Sequence, residues 1–130
     1  MIADPIGDMI VQIKNAGEAG KDAVSLPYSK LKEAVAHCLA KEGYIKSVSQ
    51  KGKKLEKTLE IELFRDNDIP RIRGVKRISK LSRRIYTKAK DLKVYNAGFG
   101  RIILSTPKGI LTEVDAKKEN VGGEILFTIW

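Results

Sequence analysis

The chain of 130 residues carries a net charge of +9 and 42% hydrophobic residues, which is enough for the core of one domain or of two small lobes. No apolar run approaches the roughly 20 residues that cross a bilayer, one cysteine forms no internal disulfide, and residues 1–12 hold two aspartates without a basic residue. We therefore expect neither a membrane protein, nor a disulfide scaffold, nor a chain with an N-terminal secretion signal, and the cysteine content favours a reducing, intracellular setting.

The first elements predicted along the chain are a helix, a short strand and a second helix. Asp4 and Pro5 mark a helix start, and the residues that follow at helical spacing are apolar. Residues 23–26 predict a strand, and Ser29 is the expected N-cap of the second helix. The apolar positions predicted to face the core are Ile6, Met9, Ile10 and Ile13 in the first helix and Leu31, Val35, Cys38 and Leu39 in the second.

Two strands complete the predicted N-terminal lobe. Residues 45–49 and 55–63 predict two strands around a basic turn at residues 51–54, and in the second strand Leu55, Lys57, Leu59, Ile61 and Leu63 are expected on one side. A cluster of Asp, Asn and Pro at residues 65–70 then breaks the pattern and marks a boundary. The prediction is an N-terminal lobe over residues 1–66, with the element order α-β-α-β-β, and a C-terminal lobe over residues 71–130.

The C-terminal lobe is predicted to be mostly β with short helices, which makes the fold class α+β. Its expected elements are extended segments at 71–79 and 84–86, a helical turn at 88–92, a buried strand at 102–105, a turn at 108–109, a short helix capped by Thr112 or Asp115, and a last strand at 124–130. In the last strand Ile125, Phe127 and Ile129 are expected to face one way.

The excess positive charge is confined to one segment. Residues 71–90 hold nine basic residues and no acidic one, whereas the other 110 residues hold 16 of each sign. A basic midsection on a neutral body favours a polyanion that docks on one region, with Arg77 and Arg84 as candidate contacts; a solvated lysine-rich surface is the alternative.

Enzymatic groups are scarce. His37 is the only histidine and falls on the polar face of the second helix, while Cys38 falls on its apolar face. Neighbours on a helix point about 100° apart, so these two side chains do not form a zinc site. We predict no catalytic residue, no metal site and no cofactor.

Several polar segments suit a nucleic acid. A turn at residues 105–109 offers two hydroxyls and a cation, Ser105, Thr106 and Lys108, that suit base edges, 2′-hydroxyls and a phosphate. Tyr86 lies in the basic segment, where an aromatic ring can stack on a base. The remaining candidates are Gly122 and Gly123, which permit close approach, Glu124 as an acceptor, and Ser29 with Lys30 at a helix start.

The order of these motifs resembles one family over residues 4–130, the bacterial form of the eighth small-subunit ribosomal protein. The segments that carry the resemblance are Asp-Pro-Ile-Gly-Asp-Met at 4–9, Pro-Tyr-Ser-Lys-Leu-Lys at 27–32, Glu-Gly-Tyr-Ile at 42–45, Arg-Ile-Ser at 77–79, Arg-Ile-Tyr at 84–86, Ser-Thr-Pro-Lys-Gly-Ile at 105–110 and Gly-Gly-Glu-Ile at 122–125. The last two are the most specific.

The resemblance implies a structural protein of the small subunit that binds the central domain of its rRNA early and helps to assemble the platform. It implies that the loop of Ser105, Thr106 and Lys108 reads the minor groove of an irregular RNA helix, supported by Tyr86 and by residues 122–124. It implies that the N-terminal lobe touches the backbone near Ser29 and Lys30. Neighbouring small-subunit proteins are expected partners, and some members of the family also repress their own operon mRNA.

Two departures from the family pattern affect these expectations. Pro107 stands where the family has a serine, and Lys-Leu-Ser-Arg at residues 80–83 replaces a common Pro-Gly. Rival interpretations are a general basic DNA-binding or nucleoid protein and, more distantly, an enzyme acting on a phosphorylated small molecule through His37 or Cys38.

Overall fold

A computed structural model of the chain describes residues 4–53, 55–64, 71–80 and 82–130. The described residues form two compact units. The N-terminal unit lies within Pro5–Arg73, and the C-terminal unit comprises Gly74–Trp130 together with Asp4. The predicted boundary at residues 65–70 lies outside the described residues, so the division into lobes at 1–66 and 71–130 stays a prediction.

The N-terminal unit has the predicted order α-β-α-β-β. Its elements are α1 (Pro5–Glu18), β1 (Ala23–Pro27), α2 (Lys30–Lys41), β2 (Ser47–Lys51) and β3 (Thr58–Glu62). The three strands form an antiparallel sheet in the order β1-β3-β2, so that Leu59 lies between Leu26 and Gln50. The α+β class is confirmed.

The core of this unit follows the predicted helix pattern in α1 and departs from it in α2. The four predicted residues of α1 are buried, together with Leu59 and Ile61 of β3. In α2 the buried residues are Val35, Ala36 and Leu39. Leu31 is exposed and Cys38 is half-buried, so their assignment to the core was wrong. At 100° per residue both lie roughly 90–110° from the centre of the face that includes Ala36.

The loop between β2 and β3 is longer than predicted. Pairing starts where Lys51 faces Thr58, so β3 begins three residues after Leu55. Leu55, which was predicted to begin the strand, is 97% exposed. The backbone N–H of Glu56 donates to Lys53 O at 2.9 Å, which shows that the chain turns there instead of extending. Lys54 of the predicted turn lies outside the described residues.

The C-terminal unit is built on a five-stranded antiparallel sheet. Its elements are β4 (Val75–Arg77), β5 (Tyr86–Thr87), β6 (Arg101–Thr106), β7 (Gly109–Thr112), α3 (Glu113–Lys118) and β8 (Gly123–Ile129), with 3₁₀ turns at Ala89–Asp91 and Tyr95–Gly98. The strand order is β4-β8-β6-β7, and β5 also pairs with β8. The last strand of the chain is therefore the centre of the sheet.

The predicted elements of this unit are present with different bounds, β4 being shorter and β6 longer than predicted, and two other elements were missed. Thr112, one of the two predicted caps, accepts a hydrogen bond from Asp115 N at 3.2 Å and begins α3. The missed elements are β7 and the turn at Tyr95–Gly98. β7 has four residues with one fully buried, a pattern too short to detect without its partner β6.

A β-bulge in β8 changes which residues share a face. Ile103 of β6 pairs with Phe127, but the next residue, Leu104, pairs with Ile125, so Leu126 is an extra residue. Directly paired residues share a face, and neighbours along a strand alternate. Ile125 therefore faces away from Phe127, and the prediction that Ile125, Phe127 and Ile129 share one face was wrong. A bulge is defined by the partner strand, so the sequence pattern of β8 does not reveal it.

On one face of the sheet Leu104 packs with Leu92 and Ala116, and Ile102, Leu111, Val121 and Ile125 surround them. This apolar cluster holds α3 and the first 3₁₀ turn against β6. The next pair along the strands, Ser105 and Glu124, consequently lies on the opposite face.

Ser79 fixes the irregular connection between β4 and β5. It is fully buried, its hydroxyl accepts from Ile85 N at 2.8 Å, and the same hydroxyl lies 3.2 Å from Ile85 O. Lys80 and Arg83 exchange two backbone hydrogen bonds, of 2.9 and 3.0 Å. Leu81 lies outside the described residues.

We expect Ser79→Ala to lower the free energy of unfolding by about 1–3 kcal/mol, because it removes the partner of a sequestered backbone N–H. Urea denaturation followed by the fluorescence of Trp130, the only tryptophan, measures this change. Ser82→Ala, at an exposed position of the neighbouring turn, is the matched control and is expected to change stability by less than about 0.5 kcal/mol. Equal losses in both variants would contradict the role of Ser79.

Candidate nucleic-acid interface

Three predicted site residues lie side by side across three strands. Glu124 of β8 pairs with Tyr86 of β5 on one side and with Ser105 of β6 on the other. Direct antiparallel partners put their Cβ atoms about 5 Å apart on one face. Tyr86 is 69% exposed, while Ser105 and Glu124 are half-buried. This three-strand row (Tyr86, Glu124 and Ser105) presents an aromatic ring, a carboxylate and a hydroxyl on the face opposite the Leu104 cluster.

The hydroxyl of Ser105 is available to a ligand. Within the described part of the chain it has no hydrogen-bond partner, whereas the adjacent hydroxyl of Thr106 is engaged. Thr106 Oγ1 donates to Gly109 O at 2.8 Å and accepts from Lys108 N at 3.1 Å. The two hydroxyls predicted together thus differ in role: Thr106 shapes the turn between β6 and β7, and Ser105 remains free.

Pro107 and Lys108 form the exposed tip of that turn. The turn closes through Thr106 and Gly109 without any contribution from residue 107, so the proline is accommodated. The ammonium group of Lys108 lies 3.1 Å from a carboxylate oxygen of Glu119, and both side chains are about half exposed. An exposed pair of this kind is weak, so Lys108 can exchange Glu119 for a phosphate at little cost.

Gly122 and Gly123 are required by the packing of the protein itself. A Cβ on Gly123 would collide with the carbonyl oxygen of Ser105, and one on Gly122 would collide with that of Thr87. The close approach foreseen for these glycines is therefore an approach between strands. Without a side chain at 123, β6 and β8 can pair closely and hold Ser105 beside Glu124.

The carboxylate of Glu124 has a cationic partner. Arg84 Nη1 lies 3.1 and 3.2 Å from its two oxygens, with the arginine half exposed and the glutamate side chain largely covered. The guanidinium holds Glu124 in position and offsets its negative charge, which would otherwise repel a polyanion. Arg84 keeps further N–H donors, because a guanidinium carries five.

Arg77 is placed differently from the predicted phosphate contact. Its side chain is 16% exposed; its Nε lies 3.1 and 3.2 Å from the carboxylate oxygens of Asp4, and its Nη1 donates to Leu126 O. These bonds direct the guanidinium into the C-terminal unit. This geometry argues for a structural role of Arg77.

The basic side chains of residues 71–90 differ in their contacts and belong to both units. In the N-terminal unit Arg71 donates to Gly43 O at 2.9 Å and lies over the ring of Phe64, 4.1 Å from its centroid. Among the described residues, five lysine and arginine side chains of the segment in the C-terminal unit are exposed and carry no ion pair: Lys76, Lys80, Arg83, Lys88 and Lys90.

The N-terminal candidates lie at the start of α2. Ser29 caps the helix by accepting from Lys32 N at 3.1 Å, as predicted, and Lys30 is exposed next to it. Tyr28 N donates to Lys57 O at 3.1 Å, and the Lys57 ammonium lies 5.4 Å from the Tyr28 ring centre. Ser29 therefore uses its hydroxyl within the protein, and the exposed ammonium groups of Lys30 and Lys57 supply positive charge there.

One buried residue was missed by the sequence analysis. Glu113, the first residue of α3, is fully buried and accepts from Tyr95 N at 2.9 Å and from Ile102 N at 3.3 Å, with Arg101 Nε 4.0 Å away. In the sequence Glu113 is indistinguishable from an ordinary acidic residue in the first turn of a helix. Its burial results from packing against β6 and the turn that precedes β6, which the sequence pattern of α3 does not show.

The remaining candidates for special chemistry were His37 and a metal-binding cluster. His37 is exposed, as predicted, and residues 4–53, 55–64, 71–80 and 82–130 contain no group of three or more His, Cys, Asp and Glu that could hold a metal ion. In these same ranges no helix is long and apolar enough to cross a membrane.

Comparison with known proteins gives one consistent result. The sequence profile of the family described as Ribosomal protein S8 matches residues 4–130. Proteins named small ribosomal subunit protein uS8 are similar to the chain over nearly its whole length. The one from Mycoplasmopsis agalactiae is 46% identical over 129 residues, covering 99% of this chain and 98% of its own. That of Persephonella marina is 46% identical over 136 residues, covering both chains fully.

We expect Arg77→Ala to lower the free energy of unfolding by about 1–3 kcal/mol, since it removes the hydrogen bonds that the guanidinium donates to the Leu126 carbonyl and to the Asp4 carboxylate. Lys76→Ala, one residue earlier and exposed, is the matched control and should change stability by less than about 0.5 kcal/mol. Urea denaturation with Trp130 fluorescence compares the two. If Arg77→Ala is as stable as the wild type, the structural role is contradicted and Arg77 is better interpreted as a phosphate contact.

Proposed function

This chain belongs to the Ribosomal protein S8 family and is a non-enzymatic structural constituent of the small ribosomal subunit, and from that premise we propose that it binds the central domain of the small-subunit rRNA directly. The recognition surface is the three-strand row of Tyr86, Glu124 and Ser105 with the adjoining turn at Lys108. The single observation that supports this most strongly is the pairing of these three residues across β5, β8 and β6.

The chemistry of the row fits distorted RNA. A-form RNA hides its major groove and displays 2′-hydroxyls and base edges in a wide, shallow minor groove. A free hydroxyl such as that of Ser105 both donates to and accepts from those groups. The exposed ring of Tyr86 suits an unstacked base, and Glu124 accepts from an amino or hydroxyl group. An irregular helix, with bases out of the regular stack, presents all three targets.

The exposed cations supply affinity without sequence preference. Lys76, Lys80, Arg83, Lys88 and Lys90 attract the phosphate backbone, and their contribution declines with salt as counterions compete. In the N-terminal unit Lys30 is placed to add a backbone contact beside the capped start of α2. Discrimination therefore rests on the row, and long-range attraction on the lysines and arginines.

The wider roles follow from this binding. Direct attachment to the central domain places the protein early in assembly of the platform, among neighbouring small-subunit proteins in the cytoplasm. A segment of its own operon mRNA that folds like the rRNA site would be bound by the same row. Such binding would repress translation of the operon.

Alanine substitutions in the row test the proposal. We expect Ser105→Ala and Tyr86→Ala each to weaken binding to a central-domain rRNA fragment by about 1–3 kcal/mol, because each removes one specific contact. Filter binding at fixed salt measures the change. Ser82→Ala is the matched control, since it removes an exposed hydroxyl outside the row.

Competitors separate this function from general basic binding. Excess duplex DNA or a scrambled RNA of equal length should displace the cognate fragment poorly, and the row variants should bind the scrambled RNA as the wild type does. Comparable affinity for duplex DNA and cognate RNA would support a nucleoid-type protein instead.

A double-mutant cycle tests the link between Arg84 and Glu124. If Arg84 acts largely by holding Glu124, then Arg84→Gln and Glu124→Gln together should weaken cognate binding by clearly less than the sum of the single effects. Lys80→Gln with Glu124→Gln is the control pair, expected to be additive within about 0.5 kcal/mol. Additive losses in the first pair would show that Arg84 and Glu124 act independently.

A further inference from the structure

We propose that Phe99 is a second stacking platform, which receives an unpaired base of the same small-subunit rRNA at the end of β6 away from the three-strand row. The proposal rests on the rRNA binding proposed above and adds a separate contact to it. Ser105 lies six positions after Phe99 in the sequence, so their Cα atoms are no more than about 21 Å apart.

Phe99 is displayed to solvent by a short turn. Its side chain is 80% exposed, and Val94, at the other end of the same turn, is 60% exposed. The turn between them is the 3₁₀ segment Tyr95–Gly98, closed by Phe99 N donating to Asn96 O at 2.9 Å. A large aromatic side chain left in water lacks the stabilisation that burial would bring, and together with Val94 it exposes apolar surface at both ends of one turn.

The turn is held in place by buried groups. Glu113 accepts from Tyr95 N before Phe99 and from Ile102 N after it, and the Arg101 guanidinium lies beside the same carboxylate. The neighbouring Gly100 is buried, and a Cβ there would lie 2.9 Å from the ring of Tyr95. Phe99 is thus an exposed aromatic residue on a segment whose backbone is held on both sides by the buried Glu113, which makes it a preorganised contact instead of a flexible one.

The backbone of the turn adopts an unfavourable conformation. Asn96 and Ala97 have φ values of 51° and 52°, in the left-handed region, which asparagine tolerates and alanine rarely occupies. Strain of this kind persists where surrounding structure enforces it and is concentrated at binding sites. Here the enforced conformation sets the path of the chain just before Phe99.

The charge around the turn favours RNA as the occupant. Residues 88–93, which lead into Val94, carry three exposed lysines and one aspartate. The ammonium groups of Lys88, Lys90 and Lys93 have no ion pair among the described residues. An exposed aromatic ring that follows a segment rich in unpaired lysines is a combination that suits unpaired bases and their phosphates, whereas lysine is depleted at protein interfaces.

Phe99→Ala is the variant that tests the platform. We expect it to weaken binding to the complete small-subunit rRNA transcript roughly five- to hundredfold. Phe99→Trp should retain affinity, and the fluorescence of its new indole should be quenched when that transcript binds. Val94→Ala, which removes apolar area without removing a ring, is the matched control and should bind within about twofold of the wild type. Thermal melting checks that each variant is folded.

The outcomes are separable. Wild-type affinity of Phe99→Ala for the complete transcript, or an equal loss in Val94→Ala, overturns the platform while leaving the three-strand row intact. Failure of the wild type itself to bind any small-subunit rRNA overturns the proposed function. Unchanged rRNA affinity combined with loss of a neighbouring ribosomal protein from reconstituted subunits in both variants would assign the turn to a protein interface and refute the RNA platform.

Discussion

The pairing of β8 with its neighbours is the interaction on which the C-terminal unit depends. This strand is bordered by β4 and β5 on one side and by β6 on the other, so the last residues of the chain connect segments that are distant in sequence. The pairing is close at Gly123, where no side chain fits against the backbone of β6. A slip of one residue would send Glu124 to the opposite face and remove it from Ser105 and Tyr86.

The bulge at Leu126 lets one strand serve two purposes. Toward its start, Ile125 faces the apolar cluster of α3 while Glu124 lies in the three-strand row. Beyond the bulge the alternation is reset, so that Phe127 is on the same face as Ser105 and is buried by packing. The same surface of the sheet is therefore open to a ligand at one end and closed at the other.

Buried polar groups control the irregular segments at both ends of the sheet. Ser79 satisfies the backbone of Ile85 and so fixes the entry to Tyr86, whereas Glu113 satisfies Tyr95 and Ile102 around the exposed Phe99. A sequestered backbone N–H without a partner is costly, so these side chains are structural requirements of the loops. Tyr86 and Phe99 are thus positioned in the same way. In each case a buried side chain accepts a hydrogen bond from the backbone close to the exposed aromatic residue.

The sequence by itself determined the helices and most strands, the first-helix core, the N-cap at Ser29 and the turn at Lys108, because hydrophobic spacing and capping residues act over a few neighbouring positions. It could not assign Leu31, whose burial depends on how α2 is rotated against its sheet, nor detect the bulge, which is defined only by a partner strand. The candidate residues were chosen as separate motifs. Only the tertiary structure decided that Tyr86, Glu124 and Ser105 meet in one row and that Arg77 is directed inward, because strand register and the competition for buried partners are settled between segments far apart in the chain.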